Sequence, residues 1–161
     1  MIELMVVIAI IAIAAAIVVP MASSAGSMQL RAAVNVVAAD LEYAKSMAIS
    51  RGQRYWVVFN PTTESYRITN DAGTTISHPI KGPSSPYAVD FPSDCRLNGV
   101  GIVSANFDST SAVGFDYLGI PYTAPGTPAA LLNPGVITLQ AGGATRTVSV
   151  QPVTGYVSIS N

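Results

Sequence analysis

The sequence predicts an α+β protein: a long, protruding N-terminal α-helix packed on an antiparallel β-sheet domain. Three observations carry that expectation. Residues 4–30 contain no charged side chain. An apolar stripe at helical spacing then continues to position 48. From Tyr55 the period changes to short aromatic and β-branched runs divided by turn residues. At 161 residues the chain fits one domain with an appendage.

The run Leu4–Val19 is almost wholly Ala, Val, Ile and Leu, and Pro20 interrupts it. Counted through Ala22 it is long enough to cross a bilayer as a helix, which takes ~17–25 residues. A cleaved signal peptide wants a basic start and a shorter apolar core, whereas the only early charge here is acidic, Glu3. An ordinary membrane anchor fits the length. A segment that sits in a bilayer and later packs against copies of itself also explains Glu3. A carboxylate at the edge of an apolar segment is costly unless paired, and first-turn placement favours it by only about 0.3–1 kcal/mol.

Past Pro20 the pattern becomes amphipathic. Leu30, Val34, Val37, Leu41, Ala44 and Ala48 form one stripe, with Arg31, Asn35, Glu42, Lys45 and Ser46 off it. Arg51-Gly52 supplies a basic last turn and a stop. Positions 1–51 therefore read as one helix, roughly 75 Å long, with a bend or local unwinding expected at Pro20 and Gly26.

Tyr55–Asn60 and Ser65–Thr69 read as a hairpin across Pro-Thr-Thr-Glu. The stretch from His78 to Pro92, with four prolines, reads as loop or edge structure. Gly99–Ala105 and Ala112–Tyr117 are strand candidates, and Thr123–Gly135 reads as a surface loop. Val136–Gln140 and Arg146–Val150 form a hairpin over Gly142-Gly143, and Tyr156–Ser160 is a last strand. The division expected is an apolar half-helix (1–26), an amphipathic half-helix (27–52) and an antiparallel β domain (53–161).

Composition excludes several classes of function. A net charge of −1 provides no basic field, so nucleic acid is disfavoured as a partner. His78 is the only histidine, which removes a histidine-based triad or a multi-histidine metal site. No CxxC, phosphate-binding loop or dinucleotide fingerprint is present. Asp90, Asp94, Asp108 and Asp116 stand singly and read as turn and surface residues; Asp71-Ala-Gly73 lacks the other carboxylates of a calcium loop. Asn60-Pro61-Thr62 is no glycosylation sequon. Cys95, the single cysteine, cannot form an internal disulfide and reads as a buried, inert thiol. No catalytic residue, cofactor or metal is expected.

Ile2-Glu3-Leu4-Met5-Val6-Val7-Ile8-Ala9-Ile10-Ile11, with a helix proline at Pro20, resembles the mature N-terminus of type IV pilins and type II secretion pseudopilins. Asp40–Arg51, the Tyr55–Phe59 strand, Phe115–Gly119 and Arg146–Ile159 resemble the GspH/FimT group of those proteins. The resemblance implies a non-enzymatic filament subunit, processed by a prepilin peptidase and N-methylated. Such subunits wait in the bacterial inner membrane and are drawn by an inner-membrane assembly platform into a helical filament of copies. The filament lies at the cell surface, or in the periplasm for a pseudopilus. Glu3 takes the place of the family's glutamate, which pairs with a neighbour's N-terminal amine. Met1 stands where the family usually has Leu; either the mature chain begins two residues earlier, or Met1 is the terminus and the family's usual processing does not apply to it. No cysteine pair brackets a C-terminal loop as in many major pilins, which points to the disulfide-free GspH-like group or to a major pilin stabilised by subunit packing. The leading expectation is a repeated subunit of a surface pilus; the alternatives are a low-copy pseudopilin and a membrane-tethered binding domain.

Overall fold

The computed structural model describes the backbone of residues 2–160, and the side chains of these residues except 15–25. A single helix, α1 (Ile2–Arg51), is followed by twelve strands. The helix stops where Gly52 takes a positive φ and its N–H reaches the Ala48 carbonyl at 3.0 Å.

Strands β1 (Tyr55–Asn60), β2 (Ser65–Asn70), β5 (Ala88–Asp90), β7 (Ala112–Phe115), β8 (Pro121–Thr123) and β9 (Ala129–Ala130) form a six-stranded sheet, in the order β5-β2-β1-β7-β8-β9. A four-stranded sheet follows the order β12-β11-β10-β6, from Val157–Ser160, Ala144–Val150, Gly135–Ala141 and Gly101–Asn106. A small ribbon pairs β3 (Ser77–His78) with β4 (Gly82–Pro86). Every pairing is antiparallel.

The two main hairpins fall where turn chemistry puts them. β1 and β2 pair in register from Tyr55–Asn70 to Asn60–Ser65, with Asn60 Oδ1 accepting the Thr62 N–H at 3.1 Å. β10 and β11 turn through Gly142 and Gly143, both at positive φ (56° and 80°), which suits the twist of a two-residue hairpin. Along β10, Ile137, Leu139 and Ala141 are buried while Gln140 is exposed, the alternation of a sheet with one wet face.

The predicted stripe is the helix's inner face: Leu30, Val34, Val37, Leu41, Ala44 and Ala48 are all buried, and Ala33 joins them. They pack into one core with Tyr55, Val57, Phe59, Ile68, Phe115, Ile137 and Val148. The helix touches β1 and β7 of the larger sheet and β10, β11 and β12 of the smaller one, so it covers both sheets rather than one face. That is why the stripe must be apolar over its whole length.

One stretch differs from the sequence reading, and the proline-rich one agrees with its reading as loop or edge structure. Thr123–Gly135 is not simply a loop: Ala129 and Ala130 pair with Thr123 and Tyr122, and Leu131 is buried beside them. A two-residue strand between prolines is too short to show a period. The proline-rich 78–92 region supplies the edge strand β5 and the β3–β4 ribbon, positions where a missing N–H costs no ladder bond.

Candidate assembly surface

The described first part of α1 carries no packing partner from its own β domain. Every large apolar side chain from Ile2 to Ile13 is between 48% and 80% exposed. A helix that is apolar all round is stable only when other apolar matter covers it. Each Å² so covered contributes roughly 25 cal/mol, so nine such side chains represent a strong drive to insert or associate. Among the described residues no helix is long and apolar enough to cross a membrane. In sequence the apolar run continues to Val19 and, past Pro20, to Ala22; the side chains of residues 15–25 lie outside the description. Glu3 sits exposed in the first helical turn, where its charge complements the helix dipole. Met1 lies outside the described residues.

The second half of α1 is fastened to the β domain by polar contacts as well as by the stripe. Asp40 projects between β2 and the segment joining β4 to β5. Its Oδ2 accepts the Tyr66 hydroxyl at 2.5 Å and its Oδ1 the Tyr87 hydroxyl at 2.8 Å. Burial raises the Asp40 pKa above the usual carboxylate value, against the lowering effect of the two tyrosine hydrogen bonds and of His78. Burial and the Asp40 charge push both tyrosines up. Tyr87 is itself the middle of a stack, with Tyr43 of α1 at 5.4 Å on one side and His78 at 4.6 Å on the other. One turn beyond Asp40, Lys45 Nζ donates to the Gly155 carbonyl at 3.0 Å and ties the helix to the β11–β12 connection.

Asp40 escaped the sequence reading. The available signal was an acid three residues after Val37 and four before Ala44, a spacing that places it on the same side of the helix as those buried residues. The two tyrosines that answer it lie 26 and 47 residues away. His78, read as a lone loop residue, packs flat on Tyr87.

The single aspartates are turn residues, though one is not at the surface. Asp116 is buried, and its Oδ1 accepts the N–H groups of Leu118 and Ile120, both at 2.9 Å, shaping the β7–β8 turn. Asp108 accepts from Leu132 N–H and Asn133 Nδ2, and Asp94 binds Arg96 Nη2 at 2.7 Å. Arg96 holds the Asp94 carboxyl down at about 2. Asp71 accepts the Trp56 indole N–H at 3.1 Å. Cys95, expected to be buried, is exposed because its short turn (Asp94–Asn98) is pinned outward by the Asp94–Arg96 pair while Leu97 takes the core position. Among the described residues no group of three or more His, Cys, Asp or Glu side chains could hold a metal ion.

The β domain and the half-helix packed on it have known counterparts. A family model described as "Type II transport protein GspH" matches residues 33–154, well over half of the chain. Among solved structures, the type IV minor pilin FimU of Pseudomonas aeruginosa is 17% identical, with a TM-score of 0.53 over 82% of this chain and 88% of its own. The minor pseudopilin EpsH from the Type 2 Secretion System of Vibrio cholerae is 13% identical, with a TM-score of 0.55 over 81% of this chain and 95% of its own. No curated protein sequence matches significantly. The two solved structures share the α+β fold, and the family match spans the β domain together with the helix half that holds it. The chain belongs to the GspH family.

Proposed function

We propose that the chain is a low-copy structural subunit of a type IV pilin-like filament, joined to it by the N-terminal half of α1. The observation that carries this is the helix from Ile2 to Ile13, apolar on every side and uncovered, on a β domain of the GspH family. In this reading residues 1–26 are the membrane and filament-core segment, 27–52 the half-helix that holds the β domain, and 53–161 the outward-facing β domain. Pro20 lets the helix bend as neighbours pack.

Glu3 pairs with the N-terminal amine of a neighbouring subunit. A lone carboxylate in a dry helix bundle costs several kcal/mol, so the pair enters the core together and sets the register of the incoming subunit. The chain acts by assembly and not by catalysis. Its partners are other pilin-like subunits, the inner-membrane assembly platform and a prepilin peptidase. It resides in the inner membrane before assembly, then in a surface or periplasmic filament. The family match and the two minor subunits of similar fold favour a low-copy position over the repeated subunit that the sequence alone put first.

The test is mass spectrometry of sheared filaments together with a Glu3→Ala variant. The wild-type chain should be present at a small fraction of the main pilin, and the variant should remain in the membrane fraction while disappearing from filaments. Normal incorporation of the variant would sink the role given to Glu3. Absence of the wild-type chain from every filament fraction would leave the tethered binding domain as the better reading.

A further inference from the structure

Where β1 begins, the larger sheet carries an open polar cleft of about 570 Å³, a size suited to a small ligand. The register that builds the sheet also assembles the cleft. Tyr55 on β1 faces Asn70 on β2 and Phe115 on β7, so the next rung sets Arg54 between Asp71 and Asp116. Gln53, Tyr117 and Tyr122 of β8 complete the lining that matters here.

The polar groups of this cleft are held in place but not spent. Arg54 lies over the Tyr122 ring, its Cζ 5.3 Å from the ring centre. Among the described residues no hydrogen bond reaches its guanidinium: Nη1 stands 3.7 Å from Asp71 Oδ2, and Nε is the one buried side-chain nitrogen or oxygen without a partner. Two acids flank the arginine, yet neither closes on it to the distance that satisfied buried groups reach. Asp116 is only 6% exposed; its Oδ1 holds the Leu118 and Ile120 N–H groups, whereas Oδ2 accepts no hydrogen bond among the described residues. Gln53 Nε2 donates to the Tyr55 hydroxyl at 2.8 Å, which fixes the amide with Oε1 unengaged. Tyr117 presents a ring that is largely exposed.

We propose that this cleft binds a neutral hexose unit of a glycan. Two carboxylates repel an anion, and the guanidinium between them repels a cation. Hydroxyl groups satisfy both, because each donates to a carboxylate or to Gln53 Oε1 and accepts from Arg54. A pair of neighbouring hydroxyls also matches the planar, forked geometry of a guanidinium or a carboxylate. Tyr117 supplies the apolar wall on which the C–H face of a sugar ring can lie, as aromatic side chains with a polar tip do at wet interfaces. The site draws on the β domain alone and is independent of how the chain enters a filament.

The experiment titrates the full chain, in a detergent without a sugar headgroup, with the methyl glycosides of glucose, galactose and mannose. Ligand-detected saturation-transfer NMR reads binding. The single tryptophan reads its location, because the Trp56 indole N–H is held at 3.1 Å by Asp71 in the cleft wall. At least one sugar should bind saturably, with a Kd on the order of 1 mM for so small a ligand, and shift the tryptophan emission. The amino-sugar and uronic-acid counterparts of that sugar should bind more weakly. Arg54→Gln should weaken binding roughly tenfold, as loss of a hydrogen bond to a charged group implies. Asp116→Asn, which keeps an oxygen for the turn N–H groups, should do the same; should it unfold, Arg54→Gln decides alone. Saturable binding by none of the three sugars, tighter binding of either charged counterpart, or unchanged affinity in Arg54→Gln overturns the proposal.

Discussion

The Tyr66 hydroxyl on β2 donates to the carboxylate of Asp40 on α1 at 2.5 Å, and Tyr87 occupies the second carboxylate oxygen. One acid thus fastens the helix to two separate parts of the larger sheet's margin. Asp40→Ala should cost about 2–4 kcal/mol, because it strands two tyrosine hydroxyls away from water. In a chain of this size that lowers the thermal midpoint by roughly 4–16 °C. Asp40→Asn keeps one acceptor and should cost less. Calorimetry of the detergent-solubilised full chain checks both, and equal stability of wild type and Asp40→Ala would refute the clamp.

The same carboxyl predicts a pH dependence of definite sign. Burial raises its pKa in the folded state, with His78 and the two tyrosine hydroxyls facing it and opposing the rise. Folding therefore favours the protonated form. The stability this provides is complete below the ordinary carboxylate value of ~3.9 and is lost as pH rises through the folded value. Measured against Asp40→Asn, wild type should lose relative stability as pH rises above the ordinary carboxylate range. Asp94 acts in the opposite direction: held at about 2 by Arg96, its contribution is present above the ordinary carboxylate range and lost as pH falls toward that value. A wild-type advantage that grows with pH would mean that hydrogen bonding outweighs burial at Asp40.

Gly114 on β7 faces Trp56 on the neighbouring β1 across a non-expandable gap. A Cβ there would lie 2.5–2.8 Å from three carbons of the indole ring. Gly114→Ala should destabilise by about 1–3 kcal/mol through overpacking, and should shift the emission of the single tryptophan. Urea titration followed by fluorescence reads both at once.

The two halves of α1 should respond to truncation in opposite ways. Leu41 is fully buried among both sheets, so Leu41→Ala should cost about 2–5 kcal/mol of unfolding free energy. Ile8 is 63% exposed, so Ile8→Ala should leave unfolding of the β domain unchanged and weaken only filament incorporation. Parallel denaturation and filament assays separate the two effects, and a loss of β-domain stability in Ile8→Ala would contradict the division of labour.

The extent to which these features were legible follows the range of the interactions involved. The stripe from Leu30 to Ala48 was readable because helical periodicity is local, and all six of its residues are buried. The Gly142-Gly143 turn was readable because two successive glycines select one hairpin geometry. Ala129–Ala130 was not, since two residues carry no period, and Cys95 was misread because composition says nothing about which residue of a turn faces the core.

By itself the sequence determined the long helix, its apolar first half with Glu3, the seam of its second half and the main hairpins. All of these arise from neighbours within a few residues, where propensity and patterning act directly. Only the tertiary structure decided that β1 lies beside β7, that α1 bridges two sheets, and that Asp40 answers Tyr66 and Tyr87. Those partners are separated by tens of residues. Only the order of the strands, set by how the whole chain buries its apolar area, brings them together.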